Sequence, residues 1–241
     1  MSGMPAYPQP SAQVPVHPGA FLKSPVGLSK ALVILFGAVI AADLFAVAAG
    51  IGQLGVVGRL IDNPEAVSTA DADRADALAA AAAVLQTLFR IATIVVFLCW
   101  FWRVRVNAEV FAPDGHGKAR GWTIGGWFCP VVNWWFPRRI ALDIWHASTS
   151  GPARATGLVN GWWGLFTAYW VVGWLASRQF AVAETPEKIQ LALGSMLFAD
   201  VLSALAAIAA VLFVRRLTAM QTEKALQGPP APPFVPNLPA L

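Results

Sequence analysis

Gly121-Trp-Thr-Ile-Gly-Gly-Trp-Phe-Cys-Pro-Val-Val-Asn-Trp-Trp-Phe136 decides how often this chain crosses a membrane. The stretch is apolar but only 16 residues long, and Gly121, Gly125, Gly126, Pro130 and Asn133 interrupt it. A spanning helix needs about 20 mostly apolar residues to cross roughly 30 Å of hydrocarbon. Four other runs meet that length, at 31–51, 78–102, 158–176 and 189–214. Lysine and arginine gather in cytoplasmic loops, so their distribution tests the short stretch. With four spans and the N-terminus inside, the inner side holds 12 of them and the outer side 4. A fifth crossing at 121–136 would leave 8 on each side. The bias therefore places 121–136 at the cytoplasmic face as a re-entrant or interfacial segment, followed by a short amphipathic helix from about Arg138 to Ser148. Backbone broken by glycine and proline at membrane depth must be buried in protein or line a wet cavity, so the segment is expected to pack among the spans.

Composition points the same way. Of 241 residues, 57% are apolar and 12% charged, with a mean hydropathy of +0.58. Soluble domains carry about 25% charged residues. An ordinary soluble enzyme, a disordered chain and a disulfide scaffold are excluded, and Cys99 and Cys129 both lie within apolar runs. Basic inner loops account for the net charge of +4 without a nucleic-acid partner. The expected fold is all-α: a polytopic membrane protein with four transmembrane helices and the lipid bilayer as its first partner. Ala46-Val-Ala48 has the small-x-small form of a signal cleavage site, but its run is long for a signal core and contains Asp43. Residues 1–25 hold six prolines and 228–241 six more. The ends, 1–27 and 221–241, are therefore expected to be disordered Pro-rich cytoplasmic tails around a helical membrane domain at 28–220. PxxP spacings in the C-terminal tail are of the kind that a protein partner reads.

The middle of the chain carries a signature. Phe101-Trp-Arg-Val-Arg-Val-Asn-Ala-Glu-Val-Phe111 is followed by the stretch from Gly121, which continues into Pro137-Arg-Arg139, and then by Asp143-Ile-Trp-His-Ala-Ser148. Together they resemble the actinobacterial membrane family that carries the domain of unknown function 4328. The resemblance implies a bacterial inner-membrane protein with several helices and Pro-rich ends, and brings no activity, substrate or catalytic residue. The positions it marks are Arg103, Asn107, Gly121, Trp122, Gly125, Gly126, Trp127, Pro130, Asn133, Pro137, Asp143 and Trp145.

These residues have a physical reading of their own. Arg103 and Asn107 lie four apart on one helical face. Asn107, Asn133 and the arginines are expected to hydrogen-bond backbone freed by Gly125, Gly126 and Pro130. Trp122, Trp127, Trp134, Trp135 and Trp145 suit an aromatic girdle at the membrane–water interface. Arg138 and Arg139 are placed to meet lipid phosphates.

Enzyme chemistry finds little support. Gly50-Ile-Gly-Gln-Leu-Gly55 fits a dinucleotide fingerprint in spacing, but it ends a membrane helix with no strand before it. Asp143 and His146 share a helical face without a third ligand nearby, so neither metal nor cofactor is expected. His17 and His116 read as solvated loop residues. No serine or cysteine sits in a nucleophile setting, which points away from an enzyme.

Charge inside the spans is more informative. Asp43 lies 13 residues from Lys30, Arg90 13 from Arg103, and Asp200 15 from Arg215. At 1.5 Å per residue, each lies about 20 Å from the basic side. A lone ion at that depth costs about 2.5–3.5 kcal/mol even on a lenient scale, so the three are expected to pair. Ala38, Ala42, Ala46 and Gly50 make a small-residue stripe beside Asp43 that permits close helix approach. Gln86, Arg90 and Thr93 form a polar stripe, and Ser203 sits one turn from Asp200. Two functions follow: a non-enzymatic membrane scaffold or interaction protein in which the layer sets helix register, or a small ion- or proton-coupled transporter built around it.

Overall fold

The computed structural model describes residues 22–151 and 155–227, so the expected tails fall outside it at 1–21 and 228–241. Among the described residues the regular structure is helical: α1 (Val26–Asp62), α2 (Thr69–Phe111), α3 (Trp122–Phe128), α4 (Phe136–Ala147), α5 (Gly157–Ala181) and α6 (Pro186–Gln227). Short 3₁₀ turns occupy Pro64–Ala66 and Val132–Trp134.

Among the described residues three helices, not four, are long and apolar enough to cross a membrane by length and composition. They are α1, α2 and α6, whose most apolar windows have mean hydropathies of 2.5, 2.1 and 2.5. The run at 158–176 does form a helix, α5, of 25 residues. Its four tryptophans, Tyr169 and four glycines dilute its hydropathy, because indole and phenol carry polar atoms and glycine adds no hydrocarbon.

Each of the three overshoots its apolar run, with 37, 43 and 42 residues in α1, α2 and α6. The stretch at 52–77 is mostly a helical hairpin, turning between Asp62 and Thr69. Ser68 Oγ accepts from Asp71 N–H at 3.1 Å and starts α2, while Asn63 Oδ1 accepts from Glu65 N–H at 3.2 Å in the turn. Gly50 is needed for packing: a Cβ there would lie 2.6 Å from Leu197 Cδ2 on α6. At the other end, 221–227 is helix rather than tail, and α1 already begins at Val26.

α1 packs along both α2 and α6, and α5 packs along α6. Between α2 and α5 the bridge is made by side chains, with the Phe97 and Trp162 rings 5.9 Å apart. The bundle closes at the motif-bearing end, where Trp100, Phe101, Ile140, Ile144, Trp162 and Phe213 belong to one core. Trp162 stacks on Phe213 with centroids 4.7 Å apart. Trp127 of α3 wedges between α2 and α5, its ring 5.5 Å from Phe97 and 5.9 Å from Phe166.

The broken segment is therefore a helix, a kink and a turn. With 7 residues α3 is only about 10 Å long and cannot span. Gly126 lets it sit directly on the start of α4, since a Cβ there would lie 3.2 Å from Phe136 Cβ. α4 is amphipathic, but its apolar face does not lie in the membrane interface. Ile140, Ala141, Ile144 and Trp145 are buried in the protein core.

Candidate functional site

Asp43, Arg90 and Asp200 meet, and they do so unequally. Arg90 Nη2 lies 2.8 Å from Asp43 Oδ1 and 3.9 Å from Asp200 Oδ1. The gap is filled by Gln86, whose Nε2 donates to Asp43 Oδ1 at 2.9 Å and to Asp200 Oδ1 at 2.8 Å. Gln86 lies one helical turn before Arg90, so both reach the same acids from α2. Ser203 Oγ accepts from Arg90 Nη2 at 3.4 Å, and the guanidinium carbon stands 5.2 Å from the Tyr169 ring centroid on α5. All four long helices thus contribute to one layer. Asp43 is fully buried, whereas the Asp200 and Arg90 side chains keep 19% and 30% exposure. Of the small-residue stripe, Ala42 is buried and Gly50 receives Leu197, so the close approach is at α1 and α6.

A second polar centre lies at the closed end. Asn107 Oδ1 accepts from Lys23 N–H at 2.9 Å, and Asn107 Nδ2 donates to the Lys23 carbonyl at 2.8 Å and to Gln221 Oε1 at 3.0 Å. Gln221 Nε2 donates in turn to the Val104 carbonyl at 2.8 Å and to Ser148 Oγ at 3.1 Å. Lys224 Nζ reaches the Ala147 carbonyl at 2.8 Å, and Arg103 Nη1 the Ser24 carbonyl at 3.1 Å. Arg103 and Asn107 therefore hold the backbone leading into α1, not the backbone freed by Gly125, Gly126 and Pro130. The hub also bears on topology: the chain leaves it at Asn107 and returns at Ser148, so 108–147 starts and ends at one end of the bundle.

The remaining motif residues divide into packing and surface. Gly121 precedes α3, Gly125 and Pro130 are exposed, and Pro137 is buried in the first turn of α4. Trp122 meets Phe136 edge-on at 5.0 Å, and Trp145 stacks on Phe213 at 6.2 Å in the core. Trp127 and Trp145 are thus wedge and core rather than girdle, while Trp122, Trp134 and Trp135 stay exposed. The Asn133 side-chain oxygen is buried without a hydrogen-bond partner, so the expected bonds to freed backbone are not made there. Arg138 Nε donates to Asn160 Oδ1 on α5 at 3.0 Å, whereas Arg139 is exposed. His146 is exposed, and the described residues contain no group of three metal-ligating side chains.

Three side chains pin the loop at 112–121. Asp143 Oδ2 accepts from Gly117 N–H at 3.1 Å, the buried Arg105 donates from Nη2 to the Lys118 carbonyl at 2.7 Å, and Glu109 accepts from Arg120 Nε at 2.8 Å. His116 is not a solvated loop residue: its ring nitrogens are shielded from solvent. Burial, reinforced by the Arg105 guanidinium, holds its imidazole below the ordinary histidine value, and the Ala108 carbonyl, Glu109 and Asp143 oppose this more weakly.

Sequence reasoning passed over Gln221 and Tyr169, and quoted Arg105 and Ser148 without finding their partners. Gln221 had a signal. It continues the buried face of Val214, Leu217 and Thr218 at helical spacing, and a glutamine on a core face needs partners. Tyr169 had none, because its role depends on which helix faces Arg90.

An all-α chain with three helices able to cross a bilayer, and with charges gathered between them, has the character of a membrane protein. The chain belongs to the family described as domain of unknown function (DUF4328), which matches residues 63–219. That range takes in Gln86, Arg90, Asn107 and Asp200, and leaves out Lys23, Asp43 and Gln221. No curated protein and no solved structure matches the chain.

Proposed function

We propose that the chain is a four-span protein of the bacterial inner membrane with both termini cytoplasmic, and that it acts as a non-enzymatic scaffold or interaction protein through its basic end. The length of α5, about 37 Å for 25 residues, supports a fourth crossing. The 12-to-4 distribution of lysine and arginine supports the orientation. One observation carries the functional reading: Phe128, Val131, Trp134 and Trp135 stay exposed along the broken segment, next to Arg138 and Arg139. An apolar edge rimmed by cations on a well-bonded frame suits recognition of another surface. Photo-crosslinking residues at Phe128, Val131 and Trp134 in cells test this. A discrete protein adduct is expected; adducts with lipid alone would reduce the edge to a membrane seat and overturn the interaction reading.

The partial exposure of Asp200 and Arg90 favours a second reading, an ion- or proton-coupled transporter that uses the Asp43/Arg90/Asp200 layer. Proton or cation flux in proteoliposomes, abolished by Asp200→Asn, would select it over the scaffold.

A further inference from the structure

The charges of the intramembrane layer do not balance. Asp43 and Asp200 bring two carboxylates and Arg90 a single guanidinium, while Gln86, Ser203 and Tyr169 bring none. Among the described residues these are the groups in polar or cation–ring contact with one another there, and the nearby buried Thr93 hydroxyl is spent on the Phe89 carbonyl. A leftover negative charge inside a bilayer is costly.

The geometry says where the imbalance sits. Arg90 is committed to Asp43 at 2.8 Å and stands 3.9 Å from Asp200. One nitrogen of Gln86 binds both acids, at 2.9 and 2.8 Å, so the two carboxylates lie within two hydrogen-bond lengths of each other. Asp43 is fully buried, yet its Oδ2 has no hydrogen-bond partner among the described residues. A buried acceptor without a partner calls for a donor or a cation, and in the same layer Arg90 Nε is also buried without a partner among the described residues. Asp200 is the acid that is not fully enclosed, its side chain keeping 19% exposure.

We propose that the layer holds one resident positive charge besides Arg90, a proton or a single alkali cation, taken up at Asp200 and facing Asp43. A proton would make Asp200 a donor where Asp43 offers an acceptor. An alkali cation would draw on the same carboxylate oxygens. Occupancy is required whether the layer is a fixed clasp or a pathway, so this inference and the functional reading above can fail separately.

The test is infrared difference spectroscopy on the full-length protein in nanodiscs, at neutral pH and without sodium or potassium. The wild type is expected to show the carbonyl band of one protonated aspartic acid. Asp43→Asn and Asp200→Asn should each abolish it, because either leaves one acid for one base. Arg90→Gln should double it. If the band is missing but sodium or potassium raises the thermal midpoint of the wild type and of neither Asp→Asn variant, the resident charge is the cation. Absence of both effects, or a band that survives both Asp→Asn changes, overturns the proposal. The acid variants carry the test even if Arg90→Gln does not fold.

Discussion

Asn107 pairs with Lys23 as one strand pairs with another, accepting from its N–H at 2.9 Å and donating to its carbonyl at 2.8 Å. A side-chain amide thus satisfies both main-chain groups of a residue 84 positions away. The same Nδ2 binds Gln221, so the start of α1, the end of α2 and the far part of α6 are fastened by one residue. The two polar centres of the protein have different characters. The Asn107 hub is built on neutral amides bonded to backbone, with the cations Lys224 and Arg103 at its margin, whereas the Arg90 layer sets one cation between two acids.

Asn107→Ala should lower stability by about 2–4 kcal/mol, because it strands Lys23 N–H, Lys23 C=O and Gln221 Oε1 together. Asn107→Asp should be no milder. It keeps an acceptor for Lys23 N–H but sets a carboxylate oxygen against two other acceptors. Thermal unfolding of detergent-solubilised protein checks both, and a loss confined to Asn107→Ala would show that the Nδ2 bonds contribute little.

In the charged layer, Arg90→Ala should be the worst single change, costing about 3–5 kcal/mol, because it leaves the buried Asp43 and the partly buried Asp200 without their cation. Asp43→Asn and Asp200→Asn should cost less. Combining all three changes should recover part of the loss, since the residues share partners. Midpoints of the four variants decide this, and additive losses with no recovery would contradict the observed contacts.

His116 predicts a pH dependence of definite sign. Its folded-state value is depressed by burial and by Arg105, so the unfolded chain binds the proton more readily. By linkage, stability should be full above about pH 6.5, the ordinary histidine value, and fall as pH drops through it. His116→Phe should flatten that slope. Thermal midpoints measured on either side of this pH provide the check, and equal slopes in wild type and variant would exclude His116 as its source.

Reporter fusions at Gly115, Gly151 and Gln227 should all report the same side of the membrane. Asn107, Ser148 and Gln221 meet in one hub, and each fusion point lies within about two helical turns of it in sequence. Opposite signals at Gly115 and Gly151 would mean that 121–136 crosses after all.

The sequence alone determined the helical class and the apolar runs, and it placed Asp43, Arg90 and Asp200 where they could meet. It also led to the expectation that Gly121–Phe136 does not cross, which the seven-residue α3 fits. These rest on rules that act along the chain: hydrocarbon thickness sets helix length, a 1.5 Å rise sets depth, and loop cations set side. The tertiary structure decided the partners. Periodicity assigns a residue to a helix face, but a hydrogen bond within about 3 Å depends on how helices cross and on the rotamers that packing allows. Hence Arg103 and Asn107 could be read as a pair on one face, while their targets, Ser24 and Lys23, could not. Arg90 was legible as a base between two acids, but its commitment to Asp43 and the bridge through Gln86 emerge only when α1, α2 and α6 are set side by side. The amphipathic pattern of α4 fits a membrane surface and a protein core equally well. The aromatic core around Phe213 and Trp162 turned that face inward, because side chains that interdigitate fill space more completely than disordered lipid does.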